Sequence, residues 1–194
     1  MRPIAILTND LQYDLVHKNE ERKAAVSAFT PSFKAFLEEM RALGCHVFHL
    51  QLINRPDDPN AERYNGWLPV QKGTEGAKII ADFNEPRDII VEKNKDSGFY
   101  ETTLHDDLQS RNIETVIITG MQTQICVQTT AADAFFRGYN VWVPEDGVVS
   151  AQDADKRRAL DWLAGYCATV STTADIVEAI RVEGTLRRKE LVTP

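Results

Sequence analysis

At 194 residues, with 43% hydrophobic and 26% charged side chains, the chain suits one soluble globular domain with a single large core. A net charge of −7 argues against nucleic acid or an anionic membrane as the main partner. Three cysteines (Cys45, Cys126 and Cys167) without Cys-x-x-Cys spacing exclude a disulfide framework or a zinc ribbon and fit a reducing cytoplasm. No apolar stretch is long enough to span a bilayer, and the first residues lead into a strand rather than a signal peptide.

In chain order, strand-like and helix-like segments alternate. Residues 3–8 read as a first strand. Apolar side chains near positions 26, 29, 33, 36, 37, 40 and 43 predict an amphipathic helix over 24–43, closed by Gly44. Residues 45–50 are a second strand. The polar stretch 54–78 has no clear periodicity, and a loop this long in a compact domain is usually functional or mobile. Further strands are predicted at 88–92, 115–119, 139–144 and 167–170, with helices at 103–110, 127–137, 153–165 and 173–181. The basic tail, 185–194, reads as a mobile end or an oligomer arm. Repeated β-α units imply a parallel sheet covered on both faces. The expected fold is therefore a three-layer α/β/α domain over residues 1–184, with a six-stranded, mostly parallel, doubly wound sheet.

Such folds bind ligands beyond the carboxyl ends of the strands. Three reactive side chains fall at those ends: Asp10 after the first strand, Lys93 after the third, and Cys126 after the fourth. A cysteine where a strand hands over to a helix sits beside unpaired N–H groups and the positive end of the helix dipole, which favour a thiolate. A nearby carboxylate can take the thiol proton, and an ammonium can stabilise developing negative charge. Taken singly, each has a plainer reading: Cys126 as a small core filler, Asp10 as a turn or cap residue, Lys93 as a solvated charge.

Three motifs carry a resemblance to a known family. They are Asp10-x-Gln12; Lys93-x-x-x-Ser97-x-Phe99 followed by Thr102-x-Leu104; and Gly120-x-x-Thr123-x-x-Cys126-Val127 followed by Thr130-x-x-Asp133-Ala134 and Gly138-Tyr139. In this order they resemble the cysteine hydrolases of the isochorismatase-like superfamily, which includes nicotinamidases and N-carbamoylsarcosine, ureidoacrylate and biuret hydrolases. The resemblance implies a Cys126–Asp10–Lys93 triad. Asp10 would accept the thiol proton, Lys93 would hold Asp10 and stabilise charge, and the backbone N–H groups of Gln122 and Cys126 would form the oxyanion hole. It also implies a non-proline cis peptide at Met121–Gln122 and a small-molecule amide or ureido substrate.

Departures from the family narrow this expectation. The metal-site Asp-x-His…His of nicotinamidases has no counterpart after the second strand. His46 and His49 are three apart on a strand and face opposite sides, so no metal and no cofactor are expected. Phe99 is the aromatic that the family sets against substrate. Gln124 and Gln12 are expected near the pocket, and Tyr64 and Trp67 at its wall or in an interface. Arg55 and Arg63 are candidate carboxylate binders or solvated loop charges. A homo-oligomer, dimer or tetramer, in the cytoplasm fits the apolar helix faces and the tail. The alternative is a non-hydrolytic thiol-redox or small-molecule-binding protein on the same fold.

Overall fold

The β-branched runs pair into one parallel sheet in the computed structural model, which describes residues 3–59, 61–64 and 68–188. The side chains of Tyr64 and Trp67, and the tail beyond residue 188, lie outside the described residues. The strands are β1 (Ile4–Asn9), β2 (His46–Leu52), β3 (Ile89–Lys93), β4 (Thr115–Met121), β5 (Asn140–Pro144), β6 (Val148–Val149) and β7 (Thr169–Ser171). Their order is β3-β2-β1-β4-β5-β7, with the short β6 against the end of β4, and every pairing is parallel. The expected six strands are thus the main path, and β6 is a seventh that two valines were too short to announce.

The helices are α1 (Tyr13–Val16), α2 (Glu20–Ala42), α3 (Leu104–Ser110), α4 (Gln128–Phe136), α5 (Asp153–Tyr166) and α6 (Thr173–Glu183). Side chains alternate along β1, so Ala5 and Leu7 enter one core and Ile4 and Ile6 the other. The first core is closed by Leu104 and Leu108 of α3, Ala131 and Ala134 of α4, and Leu160 and Leu163 of α5. The second is closed by Phe29, Phe33, Phe36 and Met40 of α2 and Ile176 and Ile180 of α6. Such two-sided burial requires the continuous apolar runs that β1 and β4 carry.

Helix α2 starts at Glu20, four residues before the predicted start, because Asn19 caps it by accepting the Arg22 N–H at 2.9 Å. The four charged residues after Asn19 carry no apolar period and so hid this first turn. The tail is packed as far as it is described: Leu186 is buried and its carbonyl accepts from Asn140 Nδ2 at 2.9 Å.

The chain runs β1-β2-β3 to one side and resumes at β4 on the other side of β1. The strand order therefore reverses between β1 and β4, which is where a doubly wound sheet opens a crevice at its carboxyl edge. Gly120 lets the two strands close up there. Its φ is +97°, and a Cβ at this position would collide with the backbone of Asn9.

Candidate active site

Asp10 follows β1 directly and turns its backbone into the left-handed region, φ 56°, which a short carboxyl side chain tolerates better than a branched one. Its N–H donates to Leu50 O at 3.1 Å, so the turn is pinned to β2. Lys93, the last residue of β3, is buried and places Nζ 3.0 Å from Asp10 Oδ1 and 3.1 Å from Oδ2. The same ammonium donates to the carbonyls of Lys95 at 3.1 Å and Asp96 at 3.2 Å. All three donor positions are therefore used, and the charge is held in one place. Asp10 Oδ1 is buried and accepts no hydrogen bond of good geometry.

Cys126 lies within a π-helical turn, Thr123–Val127, that joins β4 to α4. The bond preceding that turn, Met121–Gln122, is cis, as the resemblance implied. The thiol donates to Asp96 Oδ1 at 3.7 Å, and it also stands within hydrogen-bonding influence of Asp10 and Lys93. The structure thus brings Asp10, Lys93 and Cys126 together at the switch point.

The charge balance differs from a resting thiolate. Burial pushes the Cys126 thiol well above its usual value; the carboxylates of Asp10 and Asp96 add to the rise, and Lys93 opposes it. Burial also raises Asp10 above the ordinary carboxylate range against the pull of Lys93. Burial alone would lower Lys93, but the charges of Asp10 and Cys126 outweigh it and hold the ammonium above its usual value. Desolvation and two carboxylates oppose the helix-start argument for a thiolate. These effects favour the protonated thiol, with the Asp10 carboxyl beside it.

Several residues expected to contact substrate make scaffold contacts. Gln12 is fully buried; its Nε2 donates to Leu52 O and Ala77 O at 2.9 and 2.7 Å, and its Oε1 accepts from Leu52 N. Phe99 turns into the core, stacked on Tyr139 at 5.8 Å with the Arg137 guanidinium over its ring. Gln124 accepts from Ser150 Oγ at 2.8 Å and reaches Asp155 of α5 at 3.5 Å, while Gln122 accepts from Ala151 N at 3.0 Å. The glutamine pair ties the cysteine turn to the start of α5. Arg55 is exposed, in a cleft lined by Lys72, Glu92 and Asn94.

Two charged residues at this edge were not anticipated. Asp96 lies inside the lysine motif but carries no spacing signal of its own. Arg22, at the start of α2, interacts electrostatically with Cys126, and its Nε is buried without a partner among the described residues. A cation in the first turn of a helix opposes the macrodipole, and that mismatch is the one sequence cue it offers.

His49 is not available to a metal. Its ring bridges Thr8 Oγ1 at 2.6 Å and Asp88 Oδ2 at 3.1 Å, and His46 points away, where burial and Arg111 lower its pKa.

Residues 4–175 match the profile described as the Isochorismatase domain. The chain belongs to the isochorismatase family. The ureidoacrylate amidohydrolase RutB of Enterobacter sp. (strain 638) is 38% identical over 138 residues, covering 64% of this chain and 60% of that protein. Among solved structures, the N-carbamoylsarcosine amidase of Thermoplasma acidophilum is 30% identical, with a TM-score of 0.76 over 88% of this chain and 96% of that one. An isochorismatase-like hydrolase from Alkaliphilus metalliredigens superposes at a TM-score of 0.81 and 28% identity, over 91% of this chain and 98% of that one. The chain spans 40 to 60% of the length of the first curated relatives that it matches. None of the helices is long and apolar enough to cross a membrane among the described residues.

Proposed function

We propose that the protein is a cysteine amidohydrolase that cleaves a C–N bond of a small amide or carbamoyl or ureido compound without a metal. The observation that carries this reading is the buried Lys93–Asp10 ion pair at 3.0 Å facing the Cys126 thiol. Relatives named for amide and ureide hydrolysis share the family and support the reaction class.

In the proposed cycle Asp10 takes the thiol proton as sulfur attacks the carbonyl carbon. The raised pKa of Asp10 suits a carboxylate that must both accept and return a proton. Lys93 keeps Asp10 oriented, and its charge compensates the anion that forms when the thiol is lost. Backbone N–H groups of Gln122 and Cys126 hold the tetrahedral oxyanion. Asp10 then protonates the leaving nitrogen, the C–N bond breaks, and ammonia or an amine departs from the thioester. Water attacks the thioester while Asp10 takes its proton. The C–S bond breaks, and the sulfur recovers a proton from Asp10. No step calls for a Lewis acid, and the histidine that could most easily serve one, His49, is committed to Thr8 and Asp88.

The test is ammonia release from a panel of small amides and ureido acids with chelator present, run beside Cys126→Ala. Release that survives chelation and is lost in Cys126→Ala is the expected result. Release that persists in Cys126→Ala, or that requires added metal, would overturn the reading.

A further inference from the structure

Asp96 stands on the solvent side of the nucleophile. Asp10, Lys93 and Cys126 are 3%, 2% and 7% exposed, whereas Asp96 is exposed and its Oδ1 accepts from the thiol at 3.7 Å. A compound that reaches the sulfur therefore passes beside this carboxylate. The segment is fastened through other atoms. The Asp96 carbonyl accepts from Lys93 Nζ at 3.2 Å and from Thr130 Oγ1 at 3.4 Å, and the neighbouring Ser97 is buried and bonded to Asp133 of α4. None of these bonds uses the Asp96 side chain, so the fold gives no reason for a charge at this position.

The chemistry gives none either. The Asp96 carboxylate helps to raise the thiol, so a neutral side chain would serve the nucleophile better. No ammonium or guanidinium among the described residues pairs with it. Lys95, next in sequence, is bound to Asp58; Lys93 is spent on Asp10 and two carbonyls; Arg22 donates to Leu15 O. What remains is an exposed carboxylate in contact with the nucleophile and open to an incoming group. Such a group attracts a cation through charge-assisted hydrogen bonds and repels another carboxylate.

We infer that Asp96 is a specificity residue that pairs with a cationic group of the substrate, so that the preferred compounds are amides or ureides bearing an ammonium or guanidinium close to the scissile carbonyl. This rests on Cys126 being the nucleophile of an amidohydrolase. A cation seated on Asp96 also offsets the charge that opposes ionisation of the thiol, so the matching substrate readies the sulfur it meets.

Asp96→Asn and Asp96→Glu test it, each first shown by thermal melting to fold. Cys126 is labelled with 2-ammonioethyl and 2-sulfonatoethyl methanethiosulfonate, with Cys126→Ala as the background and each rate divided by that of a small free thiol. The cation-to-anion ratio cancels the thiolate fraction, so a change in thiol acidity cannot mimic the effect. The parent should favour the cationic reagent by at least about 5-fold at low salt and by less at high salt. Asp96→Asn should lose most of this preference and Asp96→Glu should keep it. The second readout is turnover of β-alaninamide, butyramide and succinamate, alike in length but cationic, neutral and anionic. In the parent kcat/KM should fall in that order, and the cationic-to-neutral ratio should drop about 10- to 100-fold in Asp96→Asn, chiefly through KM. A labelling ratio near one in the parent, or one unchanged in Asp96→Asn, would overturn the inference, as would an order of turnover led by succinamate. Ammonia release that persists in Cys126→Ala would instead overturn the amidohydrolase reading, and the labelling ratio would still report whether Asp96 draws cations to this thiol.

Discussion

Two carboxylates and one ammonium face the Cys126 thiol, and the balance among them sets when it can react. In the proposed cycle Asp10 is the proton acceptor, but Asp96 is separable. Its backbone carbonyl holds Lys93, whereas its side chain contributes only a carboxylate 3.7 Å from sulfur. That charge raises both Cys126 and Asp10. Asp96→Asn keeps the shape and removes the charge. The pH profile of Cys126 alkylation by iodoacetamide should then move to lower pH, because the thiol ionises more readily. The acid limb of kcat/KM should move the same way, because the active form has Asp10 deprotonated and its pKa falls. Both profiles unchanged would show that the Asp96 side chain has no electrostatic role at the site.

The proposed triad comes from three separate elements, and its geometry depends on what locks the lysine segment to the cysteine helix. Thr130 of α4 does much of this: Oγ1 accepts from Gly98 N at 3.0 Å and donates to Asn9 Oδ1 at 3.1 Å. Asp133, one turn on, accepts from Ser97 Oγ at 2.6 Å. Thr130→Val retains the volume but leaves a buried N–H and a buried amide oxygen without this partner. We expect a loss of about 1–3 kcal/mol in urea unfolding and a fall of about 10- to 100-fold in kcat/KM as the site loosens. Thr130→Ser should restore most of both, and a Val variant with full stability and activity would contradict the assignment. Much of this framework was legible beforehand. Periodicity and β-branched runs gave the main strands and helices, and Asp10, Lys93 and Cys126 announced themselves as reactive residues at strand ends. The unread parts share a physical cause. A four-residue helix and a two-residue strand are too short to show a period, and the turn Glu20–Lys23 was all charge. Phe99, Gln12 and Gln124 were placed by type, but their directions depend on partners distant in sequence. Tyr139, Leu52 and Ala77, and Ser150 and Asp155 decide those directions.

At the scale of the whole molecule, a buried polar relay fastens the layers together away from the triad. Arg41 of α2 donates to Asp88 Oδ1 at 3.1 Å, to Oδ2 at 2.5 Å and to Phe83 O at 2.6 Å; His49 of β2 bridges Asp88 to Thr8 of β1. Arg41 and Asp88 side chains are 3% and 2% exposed, so the pair is little screened by solvent. Burial alone would raise the Asp88 carboxyl, but hydrogen bonds from His49, Arg41 and the Glu85 N–H, with the charge of Arg41, bring it down to about 2. Unfolded, it would titrate near the ordinary value of about 3.9. The folded form therefore binds this proton less readily, so the stabilisation is complete above about pH 5 and is lost as pH falls from about 4 toward 2. The shift corresponds to at most roughly 2.6 kcal/mol. Asp88→Asn should cost about 3–5 kcal/mol at pH 7, because it leaves Arg41 buried and unpaired, and should flatten the decline in unfolding free energy between about pH 4 and 2. Glu85→Gln removes the partly exposed partner of Arg41, 3.3 Å away, and should cost no more than about 1 kcal/mol. Urea unfolding at pH 7 and at pH 3 separates the cases. An Asp88→Asn protein whose stability falls with acid as steeply as the parent's would show that the acid sensitivity resides in other carboxylates.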